Sequence, residues 1–138
     1  MARRSGYLKK LKRTCEIIMK GFDVQKIILL DAIPCLSQTT RCDAIILARI
    51  KGKDVIVFLE EASSLHVGED INQLRASIHN NELWKMLELP GNAIVIPVMH
   101  KVRRMKKLIV DIIKSQKIKG QPIVIMGCHE RLIDKLFF

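Results

Sequence analysis

Residues 42–64 read CDAIILARIKGKDVIVFLEEASS. Asp43 opens one apolar run, and Glu60 and Glu61 close the next. Strands buried on both faces exclude carboxylates from their interior, so acids at these two ends carry chemical information. With Lys51-Gly52 as a two-residue hairpin turn, Ile50 faces Lys53 and Asp43 faces Glu60. Facing residues lie about 5 Å apart and point to the same side of a sheet. A four-residue turn, KGKD, keeps Glu60 on the side of Asp43, whereas a three-residue turn brings in Glu61 instead. Two converging carboxylates repel unless they share a proton or a cation. Oxygen donors of this kind suit Mg²⁺ or Mn²⁺. The plainer reading is that the acids mark strand ends facing solvent.

The surrounding pattern supplies elements to hold these acids. Leu8, Leu11, Cys15, Ile18 and Phe22 recur at helical spacing, which predicts an amphipathic helix over 7–20 that stops at Gly21. KIILL (26–30) has the length of a strand, followed by a loop with Pro34, Ser37, Thr39 and Thr40. The hairpin 43–50/54–61 comes next. Gly68-Glu69-Asp70 starts a helix whose apolar stripe is Ile71, Leu74 and Ile78, with Asn80 and Asn81 as its stop. NAIVIPV (92–98) reads as a buried strand, and Val102, Met105, Ile109 and Ile112 as the stripe of a third helix. PIVIM is another strand, and 129–137 a short closing helix. The predicted order is α-β-β-β-α-β-α-β-α: one α/β domain over 1–138, a mixed β-sheet flanked by helices.

The 138 residues carry a net charge of +10, unevenly placed. Residues 1–20 are net +6, 101–120 are net +7, and 21–100 are net −3. Basic segments flanking an acidic middle suit a polyanion such as nucleic acid; the plainer reading is two solvated helix faces. Arg3, Arg4, Lys9, Lys10, Lys12, Arg13, Arg103, Arg104, Lys106 and Lys107 are the candidate phosphate contacts. No apolar stretch approaches the ~20 residues of a membrane span, and no apolar segment follows the charged MARRSG start. A soluble, cytoplasmic protein is expected. Prominent Ile and Lys with sparse Gln and Asn lean toward a heat-adapted source. Cysteines at 15, 35, 42 and 128 include no CxxC pair. Cys35 and Cys42 are spaced to permit a bridge, and Cys35, Cys42, Cys128 and His129 match no common zinc spacing.

The order α-β-β-β-α-β, with Asp on the second strand and Glu on the third, resembles the PD-(D/E)XK nuclease superfamily, and within it the archaeal Holliday junction resolvases. The likeness runs over about residues 3–100. It rests on Met19-Lys20-Gly21-Phe22 after a basic first helix, on Asp43-Ala44-Ile45-Ile46, on Phe58-Leu59-Glu60-Glu61-Ala62, and on the helix from Gly68 to Ile78. The resemblance implies a restriction-endonuclease-like core. It also implies a divalent metal held by Asp43 and Glu60 to polarise a scissile phosphate, and a homodimer acting in DNA recombination or repair.

Two departures stand out. Ala62 occupies the position of the lysine that orients water in such enzymes, and Lys10 falls near the position of a first-helix glutamate. Glu16 is about 240° around the helix from Lys10 and cannot replace it. Lys53 or Arg75 would have to supply the missing cation, and His66 and His79 are the candidate bases. The expectation is therefore a protein that binds branched or duplex DNA, a four-way junction among its substrates, with catalysis lost or weak. The alternatives are an active Mg²⁺- or Mn²⁺-dependent endonuclease and a dimeric scaffold. Docking on a sliding clamp through Leu136-Phe137-Phe138 is not expected. Asp134 and Arg131 stand where such tails carry an aliphatic residue and Gln.

Overall fold

The computed structural model describes residues 2–36, 41–62, 66–101 and 105–136, with side chains from residue 6 onward apart from that of Pro34. Helix α1 (Ala2–Ile18) leads into β1 (Asp23–Leu29), β2 (Ala44–Ile50) and β3 (Lys53–Ala62). Helices α2 (Val67–His79) and α3 (Asn81–Met86) precede β4 (Ile94–Lys101), and α4 (Lys107–Ser115) follows it. A two-residue ribbon, β5 (Lys117–Ile118) with β6 (Gln121–Pro122), comes before β7 (Val124–Met126) and a 3₁₀ turn at Leu132–Lys135.

The five-stranded sheet has the order β1-β2-β3-β4-β7. Its first three strands are antiparallel and its last two pairings are parallel. This is the α/β class with a mixed sheet that the sequence predicts.

The hairpin turn sets the register. Lys51 and Gly52 both adopt positive φ, 50° and 75°, the conformation of a two-residue turn matched to strand twist. Pairing then runs from Ile50↔Lys53 to Ala44↔Leu59, the two-residue alternative of the sequence reading. Side chains alternate between two cores. Ile56, Phe58 and Ala62 face Ile71, Leu74 and Ile78 of α2 and Ile113 of α4. Val55, Val57 and Leu59 face Leu11, Cys15, Ile18 and Met19 of α1. Helix α1 therefore covers one face of the sheet, and α2 and α4 cover the other.

Several expectations shift. Helix α4 begins at Lys107, and Arg103 and Arg104 lie outside the described residues, as does Val102. Its core side is Ile109, Val110 and Ile113, whereas Leu108 and Ile112 are exposed. The run KLIVDIIKS offers two overlapping i, i+4 stripes, and packing selects the one containing Ile113. Asn80 ends α2 and also caps α3, its side chain accepting from the Leu83 N–H at 3.1 Å. The closing helix contracts to one 3₁₀ turn. Phe137 and Phe138 lie outside the described residues. Among the described residues, no helix is long and apolar enough to cross a membrane.

Candidate functional site

Because β3 and β4 run parallel and β2 opposes them, the start of β2 and the ends of β3 and β4 share one edge of the sheet. Outside the carboxyl ends of parallel strands is where α/β sheets commonly bind ligands. Asp43 lies one residue before β2. Its N–H donates to Leu59 O at 3.0 Å and its carbonyl accepts from Leu30 N–H at 3.1 Å. The next ladder position is filled by its side chain, whose Oδ2 accepts the Glu61 N–H at 2.8 Å while Oδ1 accepts the Tyr7 hydroxyl at 3.2 Å. The carboxylate is thus locked between the strand end and α1.

Glu60 is 3% exposed and meets Asp43, as the two-residue turn predicts. It also hydrogen-bonds with Asp70, a buried residue of the first turn of α2. Gln73, one turn on, faces Glu60 and the Arg41 carbonyl; with its amide turned nitrogen-inward, the orientation that satisfies these acceptors, it donates to Glu60 Oε2 at 3.0 Å and to Arg41 O at 2.9 Å. Burial, then the charges of Asp43 and Asp70, push the Glu60 carboxyl up to about 10. Glu60 is therefore protonated at neutral pH and donates into the cluster. Burial also raises Asp43, offset by the Glu61 N–H and the Tyr7 hydroxyl. Tyr7 is raised by burial and then by the Asp43 charge.

Glu61 points to the opposite face, beside α1. Its Oε2 lies 2.8 Å from Nδ1 of His100, its register partner on β4. The two glutamates thus serve different faces, and the register alternative that placed Glu61 with Asp43 holds only through the Glu61 backbone.

Ala62 is fully buried in the core under α2. The suggested replacements for its missing cation lie elsewhere. Lys53 is at the turn end of the hairpin. Arg75 donates to Lys117 O and Gln116 Oε1, each at 3.3 Å, and ties α2 to the ribbon. The register partner of Ala62 is instead Lys101 on β4, whose side chain runs past Gly127 toward Glu130. His66 and His79 are exposed, and His66 lies 4.0 Å from Glu69.

The basic candidates divide by face. Lys9, Lys10, Lys12 and Arg13 are exposed on α1, while Lys106 and Lys107 are exposed at the start of α4, on the other side. The side chains of Arg3 and Arg4 lie outside the described residues. Lys10 and Arg13 reach this end of the sheet through a cavity shared with His100, and Lys106 and Lys107 come five and six residues after the end of β4.

All four cysteines are free, so Cys35 and Cys42 are not bridged. Cys42 donates to Ala44 O at 3.5 Å, and burial pushes both it and Cys15 up to about 12, which makes them poor nucleophiles.

Tyr7, Asp70, Gln73 and His100 are site residues that the sequence reading does not single out. Asp70, Gln73 and Ser77 repeat at i, i+3 and i+7, beside the apolar stripe of α2. That polar track is a legible signal. Ser77 accepts the Cys42 N–H at 2.7 Å, so the whole track clamps Arg41, Cys42 and Glu60.

Among the described residues, no three His, Cys, Asp or Glu side chains are arranged to hold a metal ion. If a divalent ion were bound here, Asp43 and Glu60 are the carboxylates that would hold it, and loading would have to displace the Glu60 proton. No protein-family model, curated protein or solved structure matches the chain.

Proposed function

We propose that this chain is a DNA-binding protein with a Holliday junction resolvase-like fold, gripping branched or duplex DNA through its basic helices, with catalysis lost or weak. The observation that carries this reading is the composition of one sheet edge. A carboxyl cluster of Asp43, Glu60 and Asp70, in which Glu60 holds a proton, sits there between two exposed basic segments, and a fully buried Ala62 stands where the resemblance puts the water-orienting lysine. Recognition is through phosphates and shape, since Lys and Arg without a base-reading motif give sequence-independent, salt-sensitive affinity.

One observation favours a second reading, an active endonuclease. Asp43 and Glu60 meet, and Lys101 is the register neighbour of Ala62. In that case Mg²⁺ or Mn²⁺ on Asp43 and Glu60 would supply Lewis-acid chemistry at the phosphate, with Lys101 as the nearby cation.

The test is incubation of the protein with a labelled four-way junction and a matched duplex, with and without Mg²⁺ or Mn²⁺. The binding reading expects a retarded complex that dissolves as salt rises, with the junction intact and Asp43→Asn and Glu60→Gln binding like the parent. Cleavage that both variants abolish establishes the endonuclease. Absence of both binding and cleavage leaves a dimeric scaffold, and sedimentation of the same sample tests the homodimer.

A further inference from the structure

His100 ends the buried run of β4 on the α1 face and is 5% exposed. One ring nitrogen is committed to Glu61 at 2.8 Å. The ring also forms part of the wall of a cavity of about 220 Å³ under α1, together with Lys10, Arg13, Thr14, Gly127 and Cys128. Ile17 and Ile18 form its apolar floor, and among the described residues lining it there is no carboxylate, so four groups able to carry positive charge, Lys10, Arg13, His100 and His129, share one half-open cavity.

The far wall is a built turn. Glu130 accepts the Gly127 N–H, and Lys135 holds the Glu130 carboxylate at 2.9 Å. A Cβ at Gly127 would come within 2.8 Å of Glu130 Oε1, so a larger residue there would have to push the Glu130 carboxylate off the Gly127 N–H. His129, also on the cavity wall, is held at φ 65°, a conformation that costs a non-glycine residue energy and that clusters at ligand sites.

We propose that this cavity is a phosphate pocket, which takes a tetrahedral oxyanion of the phosphodiester class between Nε2 of His100 and the side chains of Lys10 and Arg13. Glu61 fixes the ring through Nδ1, so that Nε2 is the nitrogen left for the oxyanion, and the two α1 cations close over the anion from the rim. Thr14 adds a hydroxyl. Its own proton is donated to Lys10 O at 3.1 Å, so the oxygen's lone pairs accept from a water that bridges to the oxyanion. The identity of the phosphate's source rests on the DNA-binding reading; the pocket itself does not. In this arrangement the sugar–phosphate backbone enters beneath α1, on the face of the sheet opposite Glu60.

The experiment uses full-length protein labelled with ¹⁵N-histidine. Inorganic phosphate is titrated at constant ionic strength against chloride, and duplex DNA is then added. Phosphate is expected to move the His100 Nε2 resonance to saturation, and DNA to move the same resonance. Lys10→Met with Arg13→Met, both exposed positions whose loss leaves the core intact, should weaken the phosphate response about a hundredfold, about tenfold for each of the two charge-assisted bonds lost. Lys85→Met, distant on α3, should leave it unchanged. A His100 resonance unmoved by phosphate, or moved equally in the double variant, overturns the pocket. If DNA still binds with salt-sensitive affinity in that case, the binding reading stands without it. If phosphate moves His100 while DNA does not bind, the pocket stands and the DNA reading falls.

Discussion

Glu60→Gln should stabilise the protein at neutral pH. Folded Glu60 holds its proton up to about pH 10, whereas an unfolded glutamate releases it near 4.5. Between those limits the native state binds the extra proton. The stability linked to this group is therefore complete below pH 4.5 and declines as pH rises toward 10. Each pH unit in that window costs at most about 1.4 kcal/mol, so from pH 5 to pH 7 the parent should lose about 2–3 kcal/mol through Glu60. Asp43, raised in the same direction, adds to the decline from a lower starting pH. A glutamine reproduces the protonated carboxyl. Its amide nitrogen donates toward Asp43 and Asp70, and its oxygen accepts from Gln73. The variant should thus be flatter with pH and more stable than the parent at pH 7 by about 3 kcal/mol. Urea unfolding in EDTA at several pH values reads both quantities. Parallel pH profiles, or a variant no more stable than the parent at pH 7, would mean that Glu60 is ionised in the fold and that the proton-sharing argument is wrong. Mn²⁺ offers a companion measurement. If it displaces the shared proton it should raise the parent's unfolding midpoint by an amount that grows with its concentration, and leave Glu60→Gln unmoved.

Tyr7→Phe removes the hydroxyl that Asp43 accepts and should cost about 1 kcal/mol in urea unfolding at pH 7, because the bond to a partly buried carboxylate is long at 3.2 Å. Gln73→Leu strips a donor from both Glu60 and the Arg41 carbonyl and should cost about 2 kcal/mol, most of it as unsatisfied acceptors; a neutral result would show that the α2 track does not hold the cluster. Lys51→Asn places a residue tolerant of positive φ in the hairpin turn and should raise stability by about 0.5 kcal/mol in thermal unfolding.

The hairpin was legible because two residues fix it. Lys51-Gly52 can form the two-residue turn, and the period of two then determines every pair as far as Asp43 and Glu60. Helix α1 was legible for a similar reason: Leu11, Cys15 and Ile18 form a single unambiguous stripe, and all are buried. Helix α4 was not, because apolar residues at 108, 109, 110, 112 and 113 leave its phase open until Ile113 packs. His100 was hidden by its surroundings. It follows a run of buried aliphatic residues, and only the parallel pairing of β4 with β3 shows that Glu61 is its partner. The pairing of Ala62 with Lys101 was hidden in the same way, since sequence spacing says nothing about which strands run side by side.

The division of labour between Glu60 and Glu61 follows from the pleat. Adjacent residues on a strand project to opposite faces, so two consecutive acids at the end of β3 cannot serve one centre. Glu60 enters a cluster roofed by Asp70 and Gln73 of α2, whereas Glu61 anchors His100 under α1. Asp43 links them, because its carboxylate accepts the Glu61 N–H while touching Glu60. A change in protonation at Glu60 thus acts on the atom that fixes the Glu61 backbone, and through it on the imidazole lining the cavity. Glu60→Gln should for that reason leave the His100 resonance close to its parental position at pH 7, since the glutamine mimics the protonated state. Asp43→Ala, which removes the acceptor of the Glu61 N–H, should displace it. A His100 signal that ignores Asp43→Ala would separate the two faces into independent sites.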